Sequence, residues 1–160
     1  MPVKIGLGGG CHWCTEAVFL HLKGVQKVAQ GYLSSTPNYT SYSEGIIVEF
    51  LAHEIPLEVL IYIHLLTHNS TSNHSRRDTY RSAIYCFSEI QQQEVTAVLK
   101  QLQSNFENPL VTLVLPFGKF KESREQIQNY YFKNPDKPFC TRYIHPKIQL
   151  LQQQFGNFVK

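Results

Sequence analysis

The chain has 160 residues, of which 42% are hydrophobic, and a formal net charge of only +3. That composition suits one globular domain with a sizeable core and excludes a disordered chain. Basic residues are scattered apart from Arg76-Arg77, no apolar run approaches the ~20 residues that span a bilayer, and no leader-like segment follows Met1. Neither a nucleic-acid-binding nor a membrane protein is expected, and the expected compartment is the cytoplasm.

Val3 to Leu7 is a short β-prone segment running into Gly8-Gly9-Gly10. A helical pattern follows from about Cys11 to Leu22, with Val18, Phe19 and Leu22 on one side, and Gly24 closes it. Val25 to Leu33 and Gly45 to Phe50 read as strands around a loop rich in Ser, Thr and Tyr. Pro56 is placed to open a helix whose apolar face carries Leu57, Leu60, Ile61 and His64. The polar stretch Thr67 to Arg77 reads as a loop.

Arg81 to Phe87 reads as a strand, with Cys86 as a buried packing residue. Ser88 with Gln91 three residues on is a capping-box pattern opening a helix through Val95, Val98, Leu99 and Leu102. Gln91 to Gln93 and Gln152 to Gln154 read as solvated faces. Leu110 to Leu115 is a further strand. A helix from about Ser123 to Phe132 and a last helix begun by Pro146 complete the order β-α-β-β-α-β-α-β-α-α. Hairpin-joined strands mixed with helices predict an α+β fold. Its form is a two-layer sandwich with a mixed sheet, a split β-α-β (ferredoxin-like) core and extra C-terminal helices. One catalytic domain is expected over 1–160, with 133–160 as a C-terminal tail and helix.

Four cysteines in a reducing compartment are read as catalytic, metal-binding or buried. The strongest chemical signal is Gly-Gly-Gly-Cys11-His12-Trp13-Cys14. A helix N-terminus presents free N–H groups and a positive dipole end to the Cys11 sulfur, which favours the nucleophilic thiolate. Trp13 supplies an aromatic wall. Cys14, three residues on, shares the helix face and suits disulfide exchange or half a zinc site. Zinc would need more ligands; His64, His68 and His74 are the candidates, without a second Cys-x-x-Cys.

Gly-Gly-Cys11-His12-Trp13-Cys14-Thr15-Glu16-Ala17 resembles the active-site opening of the peptide methionine sulfoxide reductase A family. Leu22-Lys23-Gly24-Val25, Gly31-Tyr32, Ser43-Glu44-Gly45, Tyr80-Arg81-Ser82-Ala83-Ile84, Tyr130, Lys133-Asn134-Pro135 and Cys140 match further family segments in order. The resemblance implies attack by Cys11 on a methionine S-sulfoxide, free or peptide-bound. Glu44 would act as general acid, and Tyr80, with Tyr42 or Tyr39, would bond the sulfoxide oxygen. His12 and Trp13 would hold the methyl group. Cys11 would be left as a sulfenic acid, resolved by Cys140 or Cys14 and regenerated by thioredoxin. Cys140 is expected in a mobile tail. No metal or bound cofactor is implied, and a monomer is expected. The chain departs from the family pattern at His12 (Phe in the family), Tyr42-Ser43 (His-Ala), Ser75 (Asp) and Ile127 (His). Two other readings stay open at this point: a general disulfide oxidoreductase using Cys11 and Cys14, and a non-catalytic module binding methionine or a metal.

Overall fold

The structure is a computed structural model that describes residues 2–10, 12–36, 38–72, 80–123, 136–138 and 140–160. Cys11, His74, Ser75, Ile127, Tyr130, Lys133 to Pro135 and almost all of the helix expected over 123–132 lie outside the described residues.

Six strands form one mixed sheet in the order β5-β4-β1-β3-β2-β6. They are β1 (Val3–Gly8), β2 (Val25–Leu33), β3 (Ser43–Phe50), β4 (Ala83–Cys86), β5 (Leu113–Pro116) and β6 (Phe120–Glu122). The helices are α1 (His12–Leu20), α2 (Leu57–Leu66), α3 (Glu89–Leu102) and α4 (His145–Gln154). Strand β3 is antiparallel to both β1 and β2, so β1-α1-β2 is a split β-α-β unit with β3 in the gap. Helix α3 links the adjacent parallel strands β4 and β5. The expected α+β architecture with a mixed sheet is the one observed.

Alternation along the strands decides which face is covered. Ile5, Leu7, Ile46, Val48, Phe50 and Ile84 are buried in one cluster with Val18 and Phe19 of α1, Leu60, Ile61 and Ile63 of α2, and Val95 and Leu102 of α3. The helices thus supply one layer against the sheet. On the other face Leu33, Ala83, Tyr85 and Leu115 form a smaller cluster with Phe117 and Phe120 packed on it.

Several local expectations are corrected. The connection into β2 turns at Gly24, whose φ of +87° suits glycine, but α1 itself ends at Leu20. Pro56 is extended (ψ 149°) and stands just before α2 instead of inside its first turn. Strands β4 and β5 are shorter than the sequence pattern suggests. Strand β6, pairing Phe120 with Leu33 and Glu122 with Gly31, was not anticipated, because Phe120-Lys121-Glu122 is too short to show a period.

The Ser88 cap forms: its Oγ accepts from the Gln91 N–H at 3.1 Å. Gln91 is buried, not solvated. Its Oε1 accepts from the Phe87 N–H (2.8 Å) and its amide donates to the Lys4 carbonyl of β1 (2.9 Å), so it ties α3 to the sheet. The tail expected to be mobile packs back onto α1. A π-helical turn over Cys140–Ile144 leads into α4, with Pro146 in its first turn as expected. Beyond α4, Val159 bridges to Leu22.

Candidate active site

The end of β1, the start of α1 and the paired ends of β2 and β3 meet at one place. Gly8 pairs with Gly45 on β3, and Tyr32 on β2 pairs with Glu44, so the Tyr32 and Glu44 side chains stand on the same sheet face. Helix α1 lies over these strands. One turn along it, the buried Glu16 Oε1 accepts from the Gln30 amide at 2.8 Å, which fixes the helix against β2.

That docking sets His12, the first residue of α1, directly over Glu44. The His12 backbone N–H donates to Glu44 Oε1 (3.2 Å), using one of the amides a helix start leaves unpaired. The imidazole is 4% exposed. Its Nδ1 lies 3.1 Å from the Gly31 carbonyl, which can only accept, so Nδ1 carries a proton and donates. Its Nε2 lies 3.5 Å from the same Glu44 Oε1, whose side chain is 16% exposed. Tyr32 packs edge-on to the imidazole with centroids 5.3 Å apart, and Trp13 lies beyond at 6.3 Å. Sequence reasoning named His12, Trp13 and Glu44 but gave Tyr32 no role. Its signal was the two-residue strand period that places Tyr32 opposite Glu44.

The turn into α1 is held from behind by α2. His64 Nε2 donates to the Gly8 carbonyl at 2.8 Å. His68 Nδ1 donates to the His64 carbonyl, its Nε2 accepts from Ser82 Oγ (2.8 Å), and the two imidazoles lie tilted at 31° with centroids 4.3 Å apart. Gly9 sits against this pair with φ +151°, and a Cβ there would run into the His68 ring. His64 and His68 therefore brace the glycine turn. Among the described residues no group of three or more His, Cys, Asp or Glu side chains is placed to hold a metal ion.

The expected oxygen-binding tyrosines are arranged differently from Tyr32. Tyr42, two residues before Glu44, is 46% exposed. Tyr39 lies over the Arg81 guanidinium at 5.5 Å. Tyr80 is half-buried and immediately precedes Arg81. Arg81 is itself buried: it donates to Tyr85 Oη (3.1 Å) and to both oxygens of Ser41 (2.8 and 2.9 Å), and its N–H donates to Ser43 Oγ (2.7 Å). It thereby locks the entry to β3 just ahead of Glu44. Burial pushes the Tyr85 phenol up, and the neighbouring Arg81 charge partly offsets this.

Cys14, Cys86 and Cys140 are all buried. Cys14 and Cys140 lie in one apolar cluster with Ala17, Ile144 and Ile148, on the side of α1 that faces the C-terminal turn. Burial raises the Cys140 thiol, and Lys137 lowers it in part. Cys86 belongs to the main core, where desolvation pushes its thiol up to about 12, so its expected packing role stands.

The sequence profile of the peptide methionine sulfoxide reductase family matches residues 3–158. The Trichodesmium erythraeum peptide methionine sulfoxide reductase MsrA is 37% identical over 97% of each chain. The Deinococcus radiodurans MsrA is 36% identical, covering 93% of this chain and 80% of its own. In fold the chain is similar to reduced Saccharomyces cerevisiae Mxr1 (TM-score 0.75, 23% identity, 87% and 89% covered). It is also similar to the methionine sulfoxide reductase A of Corynebacterium diphtheriae (TM-score 0.70, 24% identity, 84% and 76% covered). The yeast protein in complex with Trx2 matches at a TM-score of 0.65 (21% identity, 81% and 84% covered). From the near full-length profile match and these sequence relatives, the chain belongs to the peptide methionine sulfoxide reductase family.

Proposed function

We propose that this chain is a thiol-dependent reductase that converts methionine S-sulfoxide, free or in peptides, to methionine, with Cys11 as nucleophile and Glu44 as acid. The observation that carries this reading is Glu44 Oε1 accepting from the His12 N–H, beside Cys11 in the chain at the start of α1. The Cys11 thiolate attacks the sulfoxide sulfur. As the sulfur–oxygen bond breaks, the Glu44 proton goes to the oxygen, methionine leaves, and Cys11 becomes a sulfenic acid. Sulfur in the substrate is reduced by two electrons and Cys11 is oxidised by two.

Trp13, His12 and Tyr32 form the wall for the substrate methyl group, and Tyr80, Tyr42 and Tyr39 supply hydroxyls for the oxygen. A second thiol then condenses with the sulfenic acid and releases water. Cys14 and Cys140 share one buried cluster, which favours a relay through both over a choice between them. The Trx2 complex of the yeast neighbour supports thioredoxin as the external reductant that reopens the disulfide. Simple disulfide exchange needs no carboxyl aimed at the thiol end of α1, so that rival has no use for Glu44.

The test is turnover of each methionine sulfoxide epimer with a dithiol reductant. S-epimer turnover is expected to vanish in Cys11→Ser and to fall about 100-fold or more in Glu44→Gln, the scale of a lost general acid. Turnover of neither epimer by the native chain, with Cys11 still open to alkylation, would leave a disulfide exchanger.

A further inference from the structure

We infer that the cavity between Tyr42 and Lys119 is a subsite for an acidic side chain of a peptide substrate, an aspartate or glutamate close in sequence to the oxidised methionine. The inference rests on the reading of the chain as a methionine sulfoxide reductase and deepens it by naming the peptides the site favours. The β2–β6 ladder builds the subsite. Lys121 stands opposite Tyr32. Beyond Leu33 and Phe120, Ser34 and Lys119 exchange backbone hydrogen bonds: the Ser34 N–H donates to the Lys119 carbonyl (2.9 Å) and the Lys119 N–H to the Ser34 carbonyl (3.3 Å). Residues opposite one another share a sheet face, and residues two apart on a strand return to it. Lys119, Lys121 and Ser34 therefore lie on the face of Tyr32 and Glu44, while Leu33 and Phe120 join the cluster on the other side.

The cavity has a volume of about 280 Å³, and Ser34, Thr36, Thr40, Tyr42 and Lys119 line it with hydroxyls and one ammonium group. No Asp or Glu is among its lining residues. Ser34 is 4% exposed, and its Oγ accepts from the Lys119 N–H at 3.1 Å. That bond uses an oxygen lone pair and leaves the hydroxyl proton to donate. Lys119 and Lys121 are exposed and form no ion pair among the described residues. A ligand entering here meets donors and positive charge, and the group that answers both is a carboxylate. Ser34 supplies a charge-assisted hydrogen bond away from solvent, and the lysines supply attraction that water partly screens.

The cavity adjoins the reaction site on two strands: Ser34 is two residues beyond Tyr32, and Tyr42 is two residues before Glu44. Two residues of strand advance about 7 Å. An extended peptide advances by the same step, so a side chain one or two positions from the oxidised methionine reaches the cavity while the sulfoxide sits at Glu44. Within a peptide the methionine has no free α-carboxylate, and an acidic neighbour is the carboxylate available.

The experiment uses short peptides, capped at both ends, with methionine S-sulfoxide at the centre and Glu or Gln at each flanking position in turn. Values of kcat/KM are read for the native chain, Lys119→Gln, Lys119→Glu and Lys27→Gln, the last removing the same charge towards the far end of β2. Kd is read in parallel from the fluorescence of Trp13, the one tryptophan of the chain. At one flanking position or more the native chain is expected to favour Glu over Gln about fivefold, the scale of an ion pair open to water. The ratio is expected to fall to about one in Lys119→Gln, to invert in Lys119→Glu and to persist in Lys27→Gln. A folding defect lowers both peptides alike, so the ratio isolates the subsite. A native ratio near unity at every position overturns the inference. So does a ratio that Lys27→Gln lowers as much as Lys119→Gln, which would make the effect a general attraction of charge. A preference for free methionine S-sulfoxide over its amide, with none among the peptides, also overturns it and gives the cavity to the α-carboxylate. If no peptide is turned over, the reductase reading fails, and the ratio of Kd values then decides the subsite by itself.

Discussion

At the level of single side chains, burial sorts the thiols. Cys86 has its ionisation moved from the ordinary thiol value of 9.0 up to about 12 by desolvation alone. A group whose folded-state value is raised stabilises the fold fully below its unfolded value and loses that contribution as pH climbs through the folded one. The window for Cys86 therefore runs from about pH 9 to about 12. Cys86→Ala is expected to lower the melting temperature at pH 7 through the small void it leaves. Its deficit against the native chain should shrink between pH 9 and 11, where the native chain must hold a thiol neutral in the core. A deficit constant with pH would mean the thiol does not titrate in this window. Tyr85 adds to the alkaline sensitivity of both chains in the same direction, its phenol being raised by burial. Which cysteine was inert could be read from its place in an apolar run. That His12 would turn its ring on Glu44 could not, because the contact joins residues 32 positions apart and depends on the docking angle of α1.

At the level of elements, the helices are held less by their own propensity than by a few anchors to the sheet. Helix α3 is the clearest case, since Gln91 serves its first turn and β1 at once. Ser88→Ala removes the acceptor for the Gln91 N–H and is expected to cost about 1 kcal/mol, seen as a lower urea midpoint with an unchanged slope. Gln91→Ala should cost more, because it leaves the Phe87 N–H and the Lys4 carbonyl without that partner. A smaller loss for Gln91→Ala than for Ser88→Ala would contradict the tie to β1. The Ser-x-x-Gln signature was legible in the sequence as a helix start. The second use of Gln91 was not, because glutamine in a Gln run looks like surface until its neighbour across the fold is known.

Across the whole molecule, the sheet order brings distant parts of the chain to one place, and it also determines what stays apart. Long periodic strands and helices were legible because a period needs only local sequence; β6 and the π-helical turn were not, being short and shaped by what they pack on. The C-terminal turn holds Cys140 in the cluster with Ile144 and Ile148. Its raised thiol makes it a slow nucleophile while that cluster is intact. Ile148→Ala is expected to loosen the seat, so that Cys140 alkylates several-fold faster at pH 7.5 than in the native chain, read by mass spectrometry of the modified peptide. Equal rates in the two chains would mean that the turn opens without regard to this packing.

The β1–β3 ladder runs without a break from Val3 opposite Phe50 to Gly8 opposite Gly45, and Glu44 follows at its far end. That end is buried, while the Val3 end is not, and Glu44 is held there from two sides, by its pairing with Tyr32 on β2 and by the bond from the Arg81 N–H to the adjacent Ser43. Mild denaturant or heat is therefore expected to fray the Val3 end first and to leave Glu44 beside the start of α1. Loss of function is thus tied to loss of shape: a population of these molecules keeps its clasp shut for as long as the sheet holds.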